Sequence, residues 1–287
     1  MSMYSQRRPF PWAALARMLR SMTTTIAHSP FIVANDALND PAGLNRLLDE
    51  HGYLYFRGVA PKEKVLQARR DILKFCLDAG WIKPYGDTLD AVWSGVGPYG
   101  EGDPEYMGVY KQMLNLPSFL QIPEDDVLMK LMGRILGGEV LLHRRKIGRV
   151  TFPNNTSQTT PAHQDFQYIR GTPRTYTLWM PIGECPIELG GLAVLKGSHR
   201  EGFVEHKINK EHKYAGMGVM DEDMPEDGTE WHEGNFGLGD FLVFHSHTIH
   251  KAMPNVTGDR LRFSCDNRYQ RKDEEMGPGA MGTHHNL

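Results

Sequence analysis

His163 and Asp165, separated only by Gln164, have the residue types and spacing for metal chemistry. On an extended strand side chains alternate between faces, so residues two apart leave the same face. One imidazole and one carboxylate then reach a common point, and a third ligand from a distant segment would close a triangular face. Two histidines and one carboxylate, with the opposite positions open, are the ligand set of non-haem iron(II) oxygenases. With 13 His and 35 acidic residues in the chain, a His-x-Asp triplet is a common accident, so its surroundings decide its meaning.

The run Gly239 to His250 offers three candidates for the third ligand: His245, His247 and His250. A three-ligand site has no room for all of them, and spacing alone leaves His247 and His250 both open. His250 directly precedes the turn Lys251 to Asn255, where the end of a strand could reach a metal. A histidine on a strand is otherwise an ordinary polar tip on a half-buried surface.

A second constellation lies near the C-terminus. From Arg260 to Gln270 the residues alternate, so that Arg260, Arg262, Ser264, Asp266 and Arg268 share one face of a strand. The opposite face (Leu261, Phe263, Cys265, Asn267, Tyr269) is only moderately apolar, so the polar face could look into a cavity between strands. An arginine enclosed there needs an anion, because an unpaired buried charge is costly. Guanidinium binds a carboxylate through two parallel hydrogen bonds, and Ser264 could add a third. A small dicarboxylate would satisfy it. Arg145, Arg149, Arg170 and Arg174, near the His-x-Asp triplet, could meet an anionic substrate, although facing solvent is the simpler reading.

The elements that must position these residues fall into two textures. Helical patterns run over 39–51, 61–77 and 125–136, with a short strand at Gly52–Gly58 between the first two. From residue 139 onward short extended runs follow one another: 139–152, 176–182, 192–195, 240–245 and 260–270. Helices first and then closely spaced strands indicate an α+β, mainly β fold with a sandwich or barrel core. The Gly- and aromatic-rich stretch 87–117 reads as a long loop, and Asp221–Glu233 as an acidic surface insert. Residues 1–27 read as a basic, flexible N-terminal extension with Arg7, Arg8, Arg17 and Arg20, and residues 28–287 as one domain.

Composition narrows the function. The 287 residues are 40% hydrophobic and include 12 Phe, 11 Tyr and 5 Trp, enough for a substantial core. A net charge of −3 creates no field favouring nucleic acid or an anionic membrane, so neither is expected as a partner. No apolar run approaches the roughly 20 residues that span a bilayer. Cys76, Cys185 and Cys265 are widely spaced and odd in number, which suits reduced, buried thiols in a cytoplasmic protein.

With these residues in place, the chain resembles the phytanoyl-CoA dioxygenase superfamily of Fe(II)/2-oxoglutarate oxygenases over roughly residues 30 to 270. The resemblance rests on Gly52-Tyr53-Leu54-Tyr55-Phe56-Arg57-Gly58, His163-Gln164-Asp165, and the run from Gly190-Gly191 through Lys196-Gly197-Ser198-His199. It continues through Gly239-Asp240, Pro254-Asn255 and the Arg-rich last strand. It implies a double-stranded β-helix (jelly-roll, cupin-like) core with helices packed outside. It also implies His163, Asp165 and His250 as iron ligands, and Arg262 beside Ser264 as the 2-oxoglutarate anchor, with Arg260 in reserve. Trp179 matches an aromatic position near the co-substrate, and His199 a structural turn.

The reaction so implied is oxidation of a small-molecule metabolite, expected to be hydroxylation, with O2 consumed and succinate and CO2 released. Related halogenases lack the metal carboxylate, whereas Asp165 is present here. Residues 87–117 and 206–233 are then candidate lids. The rival readings are another cupin-type metalloenzyme and a non-catalytic binding protein on the same fold.

Overall fold

The computed structural model describes residues 26–154, 159–208, 217–225 and 230–284. The N-terminal extension expected from the sequence lies, through residue 25, outside the described residues. The helical half opens with α1 (Pro41–His51), β2 (Tyr53–Phe56) and α2 (Lys62–Asp78), after a short first strand β1 (His28–Pro30). Three further helices follow: α3 (Pro104–Leu114), the single turn α4 (Pro117–Leu120) and α5 (Asp126–Leu136). The ends of α5 carry their own signals. Asp125 accepts the amide N–H of Val127, and Gly137 takes the left-handed conformation that stops the helix, φ 65°.

The strand half comprises β3 (Val140–Leu142), β4 (Ile147–Thr151), the helical turn α6 (Phe166–Ile169), β5 (Tyr176–Pro181), β6 (Leu192–Leu195), β7 (Lys207–Ile208), β8 (Met217–Gly218), β9 (Trp231–Glu233), β10 (Phe241–His245), β11 (His250–Ala252) and β12 (Arg262–Arg271). A major sheet runs in the order β2-β10-β5-β12, and the free edge of β12 is covered by β4 along its first half and β3 along its second. A minor sheet runs β1-β9-β6-β11. The two sheets form the β-helix core and the helices cover the outer face of the major sheet.

Side-chain parity explains this layering. On β10, Phe241 and Val243 join the helix-side core while Leu242 and Phe244 join the cluster between the sheets. On β12, Phe263, Cys265 and Tyr269 pack against the helices, which leaves Arg262, Ser264, Asp266 and Arg268 facing the interior. The polar face of the last strand therefore looks inward, as the alternation suggested. All three cysteines are buried and unpaired, and among the described residues no helix is long and apolar enough to cross a membrane.

Three expectations need correction. The stretch 87–117 is not one loop, because Tyr106, Val109, Tyr110 and Met113 recur at helical spacing and are buried as one face of α3. The single strand expected over 139–152 is two, β3 and β4, which meet different parts of β12. The acidic insert 221–233 does not end as a surface loop: Trp231 and His232 are buried in β9, paired between β1 and β6.

Candidate active site

His163 and His250 meet as a direct antiparallel pair. The His163 amide donates to the His250 carbonyl at 2.9 Å, and the His250 amide donates back at 3.0 Å. In such a pair both side chains leave the same side of the ladder, and the two imidazole centroids lie 4.1 Å apart. Asp165 does not share this strand. Its backbone is helical (φ −60°, ψ −29°) and leads into α6, so its carboxylate reaches the histidines through a turn, not by the strand alternation expected from the sequence. Gln164, fully buried between them, secures that turn. Its amide nitrogen donates to the carbonyls of Gly202 (2.8 Å) and His247 (2.7 Å), and its oxygen accepts from the Val204 amide at 2.8 Å.

One ligand atom from each of His163, Asp165 and His250 lies within 4.8 Å of the others, and all three residues are buried. Each histidine presents Nδ1 to a carbonyl two residues earlier, His163 to Pro161 at 2.8 Å and His250 to Thr248 at 3.0 Å. A carbonyl can only accept, so Nδ1 carries the proton and Nε2 keeps its lone pair for a metal. Burial, reinforced for His163 by the neighbouring His250, lowers both imidazole pKa values, so both rings are neutral at pH 7. Burial by itself pushes the Asp165 carboxyl up. The Arg268 guanidinium and its hydrogen bonds reverse that and hold the carboxyl well below the ordinary carboxylate range. Two neutral imidazoles and one carboxylate suit a divalent iron ion.

His247 and His245 are elsewhere. The His247 ring packs edge-on against Phe166 and beside His245, with centroids 4.7 and 5.2 Å apart. Ser198 in the Gly-Ser-His turn accepts from the Ile249 amide at 2.9 Å and donates to the Leu195 carbonyl at 2.7 Å. That turn thus fixes the backbone beside His250, and His199 within it lies against His245 at 5.7 Å.

Arg262 is buried at 3% exposure and forms no ion pair among the described residues, Asp266 acting on it only from a distance. One terminal nitrogen donates to the carbonyls of Gly190 and Gly191, and the other donates to the Thr151 hydroxyl at 2.7 Å. Its Nε and the hydroxyl of Ser264 are buried with no partner among the described residues. A buried cation with orphaned polar atoms beside it calls for an anion, and the carboxylate of 2-oxoglutarate fits that requirement. Trp179, cross-strand from Asp266, lies 5.9 Å from the guanidinium. The Gly-Gly pair has a physical reason here. A Cβ at Gly190, φ 76°, would fall 2.4 Å from the Met253 carbonyl, so only glycine lets this backbone turn its oxygens toward Arg262. Arg260 stays at the rim, 41% exposed and 3.7 Å from Asp259.

Sequence reasoning assigned no role to Arg268 or Thr177, both of which bind Asp165. The only signal for Arg268 was its parity with Arg262. It also expected Arg149 to face solvent. Arg149 stands opposite Ser264 on β4, faces inward, and pairs with Glu101 and with Asp266 at 3.8 Å. Arg174 is half-exposed and pairs with Glu274 at 3.3 Å, and exposed Arg170 lies over the rings of Phe166 and Phe203.

The family model described as Phytanoyl-CoA dioxygenase (PhyH) matches residues 48–264. The 1-deoxypentalenic acid 11-beta-hydroxylase of Streptomyces exfoliatus is 30% identical over 272 residues, covering 91% of each chain. Among solved structures, the epimerase SnoN in complex with Fe3+, alpha ketoglutarate and nogalamycin RO superposes with a TM-score of 0.56 at 18% identity, covering 84% of this chain and 89% of that one. EvdO2 from Micromonospora carbonacea var. aurantiaca, complexed with 2-oxoglutarate, gives 0.53 at 20% identity, covering 83% and 95%. At these identities the solved structures speak for the shared fold.

Proposed function

The chain belongs to the phytanoyl-CoA dioxygenase family and is an iron(II)- and 2-oxoglutarate-dependent dioxygenase, and we propose that His163, Asp165 and His250 hold the iron while Arg262 and Ser264 hold the far carboxylate of 2-oxoglutarate. The observation that carries this assignment is the pairing of two unmet needs in one interior. Two imidazole nitrogens with free lone pairs converge with a carboxylate, and a buried guanidinium on the same inner surface has no ion-pair partner among the described residues. Bound iron with 2-oxoglutarate supplies the oxidising chemistry, in which dioxygen is reduced, 2-oxoglutarate becomes succinate and CO2, and a substrate C–H bond is hydroxylated.

The protein's own residues do the rest. The Pro161 and Thr248 carbonyls keep each Nδ1 protonated and each Nε2 available. Arg262 fixes one end of the co-substrate and so sets the position of the other. Trp179, Phe244 and Leu242 wall the interior with apolar surface and exclude water from it.

For the substrate we propose a small carboxylic acid as the class to screen first. The 30%-identical relative is named for its action on an acid. In this chain Arg145, on the turn between β3 and β4, has its Nε buried with no hydrogen-bond partner among the described residues. The test is succinate release by purified protein given Fe(II) and 2-oxoglutarate, with and without candidate acids. Stimulation by an acid is expected in the wild type and absent in Asp165→Ala. An Asp165→Ala protein with full activity would sink the iron assignment.

A further inference from the structure

We propose that Arg268 is a positioning residue that, together with Thr177, holds Asp165 so that one chosen oxygen faces the two histidines. The inference rests on the iron assignment above and extends it to residues that touch neither iron nor co-substrate. Arg268 on β12 and Thr177 on β5 are direct cross-strand partners. Their side chains therefore leave the sheet side by side on its inner face, and both end on Asp165. The guanidinium spans the carboxylate, Nη2 donating to Oδ1 at 2.9 Å and Nε to Oδ2 at 3.2 Å. The Thr177 hydroxyl also donates to Oδ2.

The two oxygens are thereby made unequal. Oδ2 takes two donors, whereas Oδ1 takes one and is the oxygen 3.9 Å from His163 Nε2. The pair presents a carboxylate with one oxygen tied back and the other turned toward the His163 imidazole. Asp165 needs this help because it stands at the entry to a four-residue helical turn and makes no side-chain capping hydrogen bond there. Its backbone does not aim its carboxylate as a strand would. Arg268 is in turn held rigidly, 6% exposed, with its carbonyl accepting from the His143 amide at 2.9 Å. A planar fork is required for this, since a lysine would bring the charge without two parallel donors.

The test is Mn(II) binding to the full-length protein, followed by electron paramagnetic resonance, alongside the visible absorption of the anaerobic Fe(II)–2-oxoglutarate complex. Arg268→Gln should weaken Mn(II) binding tenfold to a hundredfold, the usual range for loss of a partner to a metal ligand, and should alter the absorption band. Arg268→Lys and Thr177→Val should fall between it and the wild type. Arg262→Gln should leave Mn(II) affinity unchanged and weaken 2-oxoglutarate instead, a separation that general loosening of the fold would not produce. Mn(II) affinity in Arg268→Gln equal to or tighter than wild type overturns the proposal. Should that variant fail to fold, Arg268→Lys decides by the same criterion. If the wild type and Asp165→Ala bind Mn(II) alike, the iron assignment itself has failed. If only Asp165→Ala loses binding, the assignment stands and the role of Arg268 falls.

Discussion

Arg262 and Arg268 lie on the same face of one strand, yet their surroundings are opposite. At the Arg268 end the cation is matched within the chain, with guanidinium, carboxylate and threonine hydroxyl joined directly. At the Arg262 end the cation has, among the described residues, only carbonyl and hydroxyl oxygens as hydrogen-bond partners, and its Nε and Ser264 Oγ are left over. The comparison shows how one buried strand serves two purposes. On the proposed assignment, the matched end is built in advance to hold a metal ligand still, and the unmatched end keeps its binding capacity for a molecule that comes and goes.

The contrast is broken or sharpened most strongly at Asp165. Asp165→Ala removes a proposed metal ligand and also leaves Arg268 buried without its anion. It should abolish substrate-stimulated succinate formation and lower stability by about 3–5 kcal/mol in denaturant titration. Loss of activity with unchanged stability would mean that the Arg268 end is less tightly built than it looks.

Methionine in place of each arginine compares the ends directly. Arg268→Met strands Asp165 and should likewise destabilise the protein by about 3–5 kcal/mol. Arg262→Met removes an unmatched charge, so the apoprotein should be as stable as the wild type or more so. With Mn(II) held at one saturating concentration throughout, adding 2-oxoglutarate at 100 times its wild-type dissociation constant should stabilise the wild type by about 2.7 kcal/mol more and leave Arg262→Met almost unmoved. Equal destabilisation by both substitutions would erase the distinction.

Acid should act first near the matched end. His143, whose amide holds the Arg268 carbonyl, is buried with its ring against Gln270 at 2.8 Å, and burial lowers its pKa from 6.5 to about 4. Between those values the unfolded chain binds the proton and the folded chain does not. Stability therefore falls as pH drops from 6.5 to about 4, by up to about 3 kcal/mol from this residue. His143→Gln should flatten that limb in denaturant midpoints measured across the range. An unchanged slope would show that other groups carry it.

The smallest expected effect is at Ser264. Ser264→Ala deletes one hydrogen bond to the incoming anion, about 1 kcal/mol, and should raise the KM for 2-oxoglutarate several-fold with kcat little changed. An unchanged KM would leave Arg262 as the whole anchor.

Much of this molecule was legible in local patterns. The inward polar face of β12 follows from alternation, and the boundaries of α5 follow from Asp125 and Gly137. The helix α3 and the buried end of the acidic insert were also written in the sequence, as the i, i+3, i+4, i+7 spacing of Tyr106, Val109, Tyr110 and Met113 and as Trp231. There, glycines and acids drew attention away from the apolar residues. The residues proposed as ligands were legible as types, and the family resemblance selected His250 from its neighbours.

By itself, the sequence determined what each residue could do: which side chains could bind a metal, which cation would require an anion, and which face each would share within its own strand. Those properties depend on chemistry and on periods of two and 3.6 residues, so a short window contains them. Only the tertiary structure decided which groups meet. The pairing of His163 with His250, the approach of Asp165 through a turn, and the convergence of Thr177 and Arg268 on one carboxylate depend on register between segments far apart in the chain. No local period encodes that register. It is set when the two sheets and their helices bury a common core, and the site is built where that packing brings the segments together.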